Sequence, residues 1–144
     1  MNRQIQDVIA NKPNRVEDIG PDATVEGAVA RMNELHIGSL LVIEDAHLVG
    51  IVTERDLLVR VLAAGRDPAT TKVRDVMTRE LVVINLHETV EEAMVLVTRR
   101  RCRHLPVVDG DRICGLVSAG DLTAWLVREQ QQTIDDLYQY VRQG

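Results

Sequence analysis

Two periodicities of apolar residues divide this chain into short segments that recur in the same order. Apolar runs at residues 39–43 and 48–52 are rich in β-branched side chains and have the length of buried strands. The stretches after Thr24 and Thr89 instead place apolar residues at helical spacing, and both threonines suit a helix N-cap. The order strand, helix, strand, strand, helix predicts a mixed α/β (α+β) fold. The predicted apolar helix faces are Val25, Ala28, Val29, Met32 and Leu35 in the first copy, and Val90, Ala93, Met94 and Val97 in the second.

The segments form an internal repeat with a constant shift between its two copies. Residues 24–62 align with 89–127 without a gap, and ten of the 39 aligned positions are identical. Each copy contains a glycine, two apolar residues, Thr or Ser, and an Asp three positions later, at residues 50–56 and 115–121. We therefore assign residues 5–65 to repeat 1, 66–72 to a linker, 73–129 to repeat 2 and 130–144 to a C-terminal helical tail.

Four local features carry narrower predictions. Residues 81–84 are predicted to form a short strand, and a hairpin around residues 109–112 is predicted to place Val107 opposite Cys114. The helix after Thr53 is expected to end near Gly65. A separate last helix, capped by Thr133, is predicted to carry one apolar face. That face consists of Ile134, Leu137, Tyr138 and Val141, and it could pack on its own core, on a second subunit or on a client.

Composition and charge argue against several classes of function. Aromatic residues are only 2% of the chain, so there is no stacking platform for single-stranded nucleic acid. The formal net charge of −5 offers no attraction to nucleic acid or to an anionic membrane. No apolar run is long enough to span a bilayer, and the N-terminus lacks a signal-peptide core, so we expect a cytoplasmic protein with two free core thiols.

The repeated Thr/Ser-x-x-Asp motif admits a structural and a functional interpretation. Structurally, the two side chains are near capping boxes at the start of a helix. Functionally, a helix N-terminus with its free N–H groups suits a phosphate, and a carboxylate can accept hydrogen bonds from a ribose diol. The occurrence of the motif twice, each time after a glycine and two apolar residues, favours a ligand-binding role. The four histidines show no metal-like spacing, and no nucleophile–base pair indicates an enzyme.

These residues resemble the cystathionine-β-synthase (CBS) domain in tandem, often called a Bateman module, over about residues 5–128. The resemblance rests on IGSLLVI (37–43) with GIVTERD (50–56), and on RHLPVV (103–108) with GLVSAGD (115–121). It implies two β-α-β-β-α units packed with pseudo-twofold symmetry. It also implies two clefts between the repeats that bind AMP, ADP, ATP or S-adenosylmethionine, in which Thr or Ser contacts phosphate and Asp holds the ribose.

The resemblance assigns ligand-binding residues to each cleft. The Asp56 site is expected to contain Thr53, Arg55 and Asp56, with Val82, Cys102, Arg103 and His104 from the second copy. The Asp121 site is expected to contain Ser118 and Asp121, with Val16, Glu17, Ile37 and Gly38 from the first. Because its cations are Arg55, Arg103 and His104, we expect the Asp56 site to prefer phosphates. The Asp121 site is expected to be weak, empty or selective for a less anionic ligand.

We interpret the chain as a stand-alone, non-catalytic sensor of adenine nucleotides or S-adenosylmethionine that requires no cofactor or metal. Its expected partners are the ligand, a second copy in a homodimer and an unknown client protein, with neither nucleic acid nor membrane. The predicted dimer contacts lie near residues 31–36, 57–64 and 122–128. The alternative is a ligand-free dimeric adaptor that recruits an enzyme or transporter.

Overall fold

The computed structural model describes residues 3–11 and 16–143, which form two compact units. The first unit consists of residues 16–81. The second unit combines residues 3–11 with residues 82–143. The mixed α/β class is confirmed, with one three-stranded sheet in each unit.

The first unit carries its sheet in the order β1-β2-β3, with β1 parallel and β3 antiparallel to β2. Its strands are β1 (Asp18–Ile19), β2 (Ser39–Glu44) and β3 (His47–Thr53). Its helices are α2 (Val25–Leu35) and α3 (Glu54–Leu57), and α3 continues into a π-helical turn (Leu58–Leu62). Gly65, at φ +70°, follows that turn, and its amide donates to the Leu62 carbonyl, so the predicted end is confirmed.

The second unit repeats this arrangement with β4 (Ile84–Asn85), β5 (His104–Asp109) and β6 (Arg112–Ser118). Its helices are α1 (Ile5–Ala10), α4 (Val90–Arg100) and α5 (Ala119–Gln143). The predicted strand at 81–84 is wrong in extent, because only Ile84 and Asn85 pair with β5. The separate helix capped by Thr133 is also wrong, since α5 runs unbroken through Thr133, whose hydroxyl donates to the Glu129 carbonyl.

The internal repeat is visible in the strand register. Leu40 pairs with Val52 in the first unit, and the aligned Leu105 pairs with Val117 in the second. Both hairpins contain a β-bulge at the same aligned position. The bulge corrects one prediction: Val107 pairs with Gly115 rather than with Cys114, because an extra residue on β6 shifts the register.

Each unit has its own aliphatic core. In the first unit, Val25, Ala28 and Met32 of α2 pack with Leu40, Val42 and Val52 of the sheet. In the second, Val90 and Ala93 of α4 pack with Leu105, Val107 and Val117. Part of the predicted face of α2 is wrong, since Val29 and Leu35 are exposed. These two residues lie at the edge of the apolar stripe, where helical spacing alone does not determine burial.

The segment that begins each repeat packs on the sheet of the other repeat. Residues 73–77, from the start of repeat 2, belong to the first unit, whereas α1, from the start of repeat 1, belongs to the second. There α1 contacts β6 and α5, and Arg3 forms an ion pair with Glu129 of α5. The compact units therefore differ from the sequence repeats by an exchange of their leading segments.

This exchange explains the glycine of the repeated motif. A Cβ atom on Gly50 would lie 2.7 Å from the Met77 sulfur and 2.9 Å from the Thr78 carbonyl oxygen. A Cβ atom on Gly115 would lie 2.9 Å from Cδ1 of Ile9 in α1. Each glycine is thus the position at which a leading segment approaches the strand closely, with its backbone at Gly50 and with the flexible end of a side chain at Gly115.

Candidate functional site

The first candidate site is the corner where β3 ends and α3 begins. Thr53 is the N-cap of α3, and its hydroxyl oxygen accepts a hydrogen bond from the Asp56 amide at 3.2 Å. In return, Asp56 Oδ2 accepts from the Thr53 amide at 3.0 Å and from the Thr53 hydroxyl at 3.1 Å. The capping box predicted from the sequence is therefore formed, and it holds the Asp56 carboxylate over the first turn.

A further donor to Asp56 comes from the exchanged leading segment. The Thr78 hydroxyl donates to Asp56 Oδ1 at 2.9 Å. Asp56 is only 7% exposed, so its charge is balanced inside the unit by three hydrogen bonds rather than by water. Sequence reasoning missed Thr78, because a hydroxyl in the next repeat's leading segment gives no local signal at the motif.

The second candidate site is the corner between β6 and α5, which repeats the reciprocal bonds of the first. The Asp121 amide donates to the Ser118 hydroxyl oxygen at 3.0 Å, and the Ser118 amide donates to Asp121 Oδ2 at 2.8 Å. Asp121 is half-buried, unlike the buried Asp56. The aligned residues therefore share their capping geometry and differ in exposure.

Two first-turn amides at each corner are already used within the unit. Besides the Asp56 amide, the Glu54 amide donates to the Gly38 carbonyl at 3.0 Å. The aligned Ala119 amide donates to the Arg103 carbonyl at 2.8 Å. The expectation of a fully free helix N-terminus for an anion is therefore wrong. A phosphate at these corners would depend mainly on side chains.

The leading segment that carries Thr78 is attached to the first unit at several points. The Thr78 and Ile51 backbones exchange two hydrogen bonds, of 2.8 and 3.0 Å. The Arg60 guanidinium, on the π-helical turn, donates to the carbonyls of Val76 at 3.1 Å and Met77 at 2.8 Å. Asp56, Thr78 and Arg60 are thus joined by hydrogen bonds and a short stretch of backbone.

Further predicted site residues of the first unit lie around this corner and along β1. Glu17 accepts from Arg31 at 2.9 Å, and its carbonyl accepts from the Leu41 amide at 3.1 Å. Val16 is half-buried just before β1. Arg55 is exposed on the first turn of α3.

Ile37 and Gly38 line a surface pocket of about 340 Å³ in the first unit, at the junction of α2, β2 and α3. Its lining residues are Val29, Met32, Asn33, His36, Ile37, Gly38, Glu54 and Leu57. A Cβ atom on Gly38 would lie 3.2 Å from the Glu54 carboxylate, which reaches over this glycine. Because the carboxylate is anionic, this pocket does not suit a phosphate.

The predicted site residues of the second unit cluster at the start of β5, apart from Val82. Val82 is half-buried against the core of the unit. His104, the first residue of β5, is half-buried, and Arg103 beside it is exposed. Cys102 is a half-buried free thiol whose pKa is raised by burial. The predicted association of these four residues with Asp56 stays a prediction.

The described residues also bear on metal binding and on membrane insertion. Within residues 3–11 and 16–143, no group of three or more His, Cys, Asp or Glu side chains is placed to hold a metal ion. Over the same ranges, no helix combines the length and the apolar content needed to cross a bilayer.

Comparison with known proteins gives a consistent result. The profile of the CBS domain matches residues 15–63 and 73–128. The mitochondrial CBS domain-containing protein CBSX3 of Arabidopsis thaliana is 38% identical over 128 residues, which is 85% of this chain and 62% of the plant protein. This chain thus spans less than two thirds of that relative.

Solved structures agree with the sequence relatives. A putative signal-transduction protein with CBS domains from Burkholderia ambifaria is 33% identical, with a TM-score of 0.84 over 88% of this chain and 96% of that one. A hexameric CBS-CP12 protein from bloom-forming cyanobacteria is 34% identical, with a TM-score of 0.77 over 85% of this chain and 71% of that one.

Proposed function

This chain belongs to the CBS-domain family, and from that premise we propose that it is a non-catalytic regulatory module that binds an adenosine-containing ligand. CBS-domain pairs are generally regulatory and ligand-binding. The observation that carries the proposal is the duplicated strand-to-helix corner, in which an acid is held in the same reciprocal bonds in both repeats. Candidate ligands are AMP, ADP, ATP and S-adenosylmethionine.

The ribose diol is the part of the ligand that we assign to the acids. A carboxylate has about four lone-pair sites for hydrogen bonds. At Asp56, three of these sites already accept hydrogen bonds, from the Thr53 amide, the Thr53 hydroxyl and the Thr78 hydroxyl. A diol needs two, so its binding at Asp56 displaces the Thr78 hydroxyl from Oδ1.

That displacement links ligand binding at Asp56 to the exposed π-helical turn. Thr78 directly follows Met77, and the Val76 and Met77 carbonyls hold Arg60 on the π-helical turn. The same turn presents Leu58, Val59 and Leu62 to solvent, within the predicted dimer contact at residues 57–64. Ligand at Asp56 therefore biases the position of the π-helical turn, and with it the association of two copies. The hexameric relative supports self-association of this chain.

Titration calorimetry of the full chain with AMP, ATP and S-adenosylmethionine tests the proposal. We expect binding in the micromolar range to at least one of them. The isosteric variant Asp56→Asn should weaken it about tenfold or more, since hydrogen bonds to a charged group contribute on the order of 1.5–3 kcal/mol. Asp121→Asn tests the second corner in the same way.

The matched control is Asp45→Asn, which makes the same change in the exposed turn between β2 and β3. It should leave the affinity unchanged. A urea titration of each variant separates loss of binding from loss of folding. If the wild-type chain gives no binding heat with any of the three compounds, the sensor proposal is overturned.

The second candidate is an adaptor that binds no adenosyl ligand and recruits a client enzyme or transporter through its self-associated form. The exposed apolar residues of the π-helical turn favour it, because such residues are common at protein contacts. Self-association without ligand binding in the same calorimetry samples would support this candidate. Neither candidate includes chemistry of its own, and the similar proteins include one described as a putative signal-transduction protein with CBS domains.

A further inference from the structure

The C-terminal half of α5 carries an apolar surface that the core of the second unit does not use. The last buried or half-buried residue of α5 is Glu129, and residues 130–143 are all exposed. Five apolar side chains form what we call the tail stripe: Val127, Ile134, Leu137, Tyr138 and Val141, which are 45–72% exposed. The stripe is therefore not part of the fold of its own unit.

The tail stripe has the spacing of a two-stranded coiled coil. Val127, Ile134 and Val141 recur once per heptad, at position a, and Leu137 is at position d. Position d of the preceding heptad is Gln130, the one polar residue along the seam. Among parallel coiled coils, β-branched residues at a with leucine at d favour two strands over three or four.

The charges of this segment are confined to the side away from the stripe. Positions that flank the seam are neutral and comprise Gln131, Thr133, Tyr138 and Tyr140. All charged residues between 127 and 142 fall at positions b and c: Arg128, Glu129, Asp135, Asp136 and Arg142. A copy of the same face thus meets no like charge across the seam.

The same charges argue against other occupants. Helices that lie on membranes carry lysine and arginine on their polar face. Here the two arginines are outnumbered by three acids, which disfavours an anionic lipid surface. A strongly charged partner helix would find no complementary charge beside the neutral seam.

Contacts within one chain also stabilise α5 in its helical conformation before pairing. Its first turns are held by the core of the second unit, in which Leu122 is fully buried, and Arg3 forms an ion pair with Glu129. Three intrahelical side-chain bonds follow: Gln131 to Asp135, Gln132 to Asp136, and Thr133 to the Glu129 carbonyl. The helix is therefore already formed in the monomer, so pairing does not require its nucleation.

We propose that residues 127–141 of α5 pair in parallel with the same residues of a second copy of this chain. This pairing goes beyond the proposed function, since it needs no ligand and uses none of the residues at the Asp56 or Asp121 corners. Of the dimer contacts predicted at residues 31–36, 57–64 and 122–128, it overlaps the last at residues 127 and 128 and extends well beyond it. Tail pairing would give the chain a second means of self-association.

Sedimentation equilibrium of the full chain tests the pairing with matched variants. Ile134→Asp and Leu137→Asp place a charge in the seam, and each should raise the dissociation constant at least tenfold. Gln139→Asp introduces the same charge at position f, on the opposite side, and should leave the dissociation constant within about twofold. Equal effects of seam and position-f variants, or no effect of either, would overturn the proposal.

Cross-linking distinguishes this contact from other dimer surfaces. In a background with Cys102→Ser and Cys114→Ser, Val141→Cys should form a disulfide-linked dimer under mild oxidation, because parallel a positions face each other. Gln139→Cys should remain mostly monomeric. If Val141→Cys and Ile134→Cys cross-link no faster than Gln139→Cys, the tails do not pair. This result is independent of ligand binding, so it leaves the sensor proposal untouched.

Discussion

The corners at Asp56 and Asp121 have the same backbone frame and different surroundings. Both acids accept a hydrogen bond from the backbone amide of the residue that caps their helix. Asp56 is buried and also accepts from Thr78, whereas Asp121 is half-buried at the start of a much longer helix than its counterpart. A shared motif therefore specifies the capping geometry, and the segment packed beside it determines how accessible the acid is.

Removing the acids should show the largest difference between the corners. Asp56→Ala leaves the Thr53 amide and the Thr78 hydroxyl without their acceptor inside the unit, and we expect a loss of about 3 kcal/mol in the free energy of unfolding. Asp121→Ala should cost about 1 kcal/mol, as is typical for a helix cap. Urea unfolding measures both, and equal losses would contradict the difference in burial.

The two motif glycines provide the next test. Gly50→Ala forces a methyl group against the Thr78 backbone oxygen, which cannot move without breaking its pairing with Ile51. We expect it to cost about 2 kcal/mol, in the range of overpacking. Gly115→Ala meets only the flexible end of Ile9 and should cost about 1 kcal/mol or less. The order of the urea midpoints checks this prediction, and a reversed order would refute it.

Thr78→Val separates stability from ligand affinity at the first corner. Loss of the hydroxyl should lower the free energy of unfolding by about 1 kcal/mol. It should also strengthen adenosyl-ligand binding several-fold, because the diol no longer competes with Thr78 for Oδ1 of Asp56. Thr70→Val, at an exposed position of the same unit, is the control. Weaker ligand binding by Thr78→Val would show that Thr78 assists the ligand rather than competes with it.

The smallest expected effect concerns Cys102, which aligns with Ile37 of the first repeat. Burial raises the pKa of the Cys102 thiol, so less thiolate is present at a given pH than in a small thiol. Alkylation of Cys102 in a Cys114→Ser background should therefore be several-fold slower than that of free cysteine at pH 8. The rate should continue to rise with pH beyond the pKa of free cysteine. Faster alkylation than free cysteine would contradict a buried thiol.

Much of the fold could be predicted from the sequence, because its signals are local and occur twice. The caps at Thr24 and Thr89 and the constant shift between the repeats gave the helices and the order of the strands. The pairing of Val107 was wrong by one position because a bulge leaves no mark on apolar periodicity. The prediction that Thr133 caps a separate helix was wrong, because threonine is also tolerated inside a helix. There its hydroxyl donates to a carbonyl one turn earlier.

The candidate site was less predictable, because its decisive contacts are not local. The capping bonds of Asp56 follow from spacing, but the Thr78 hydroxyl and the Arg60 clamp connect segments that are distant along the chain. The glycine of the motif could be recognised as repeated but not explained. Its reason is the exchanged leading segment, which lies outside the residues that align without a gap between the two copies.

That exchange also has a consequence for synthesis of the chain on the ribosome. Residues 16–81 are continuous, so the first unit can be assembled as soon as they emerge. The helix at Ile5–Ala10 is translated before the first unit, yet the sheet against which Ile5 and Val8 are buried is translated after it. The apolar side chains of this helix must therefore stay exposed until β4, β5 and β6 have been translated, and a substitution in the helix would be felt in the unit formed by residues 82–143.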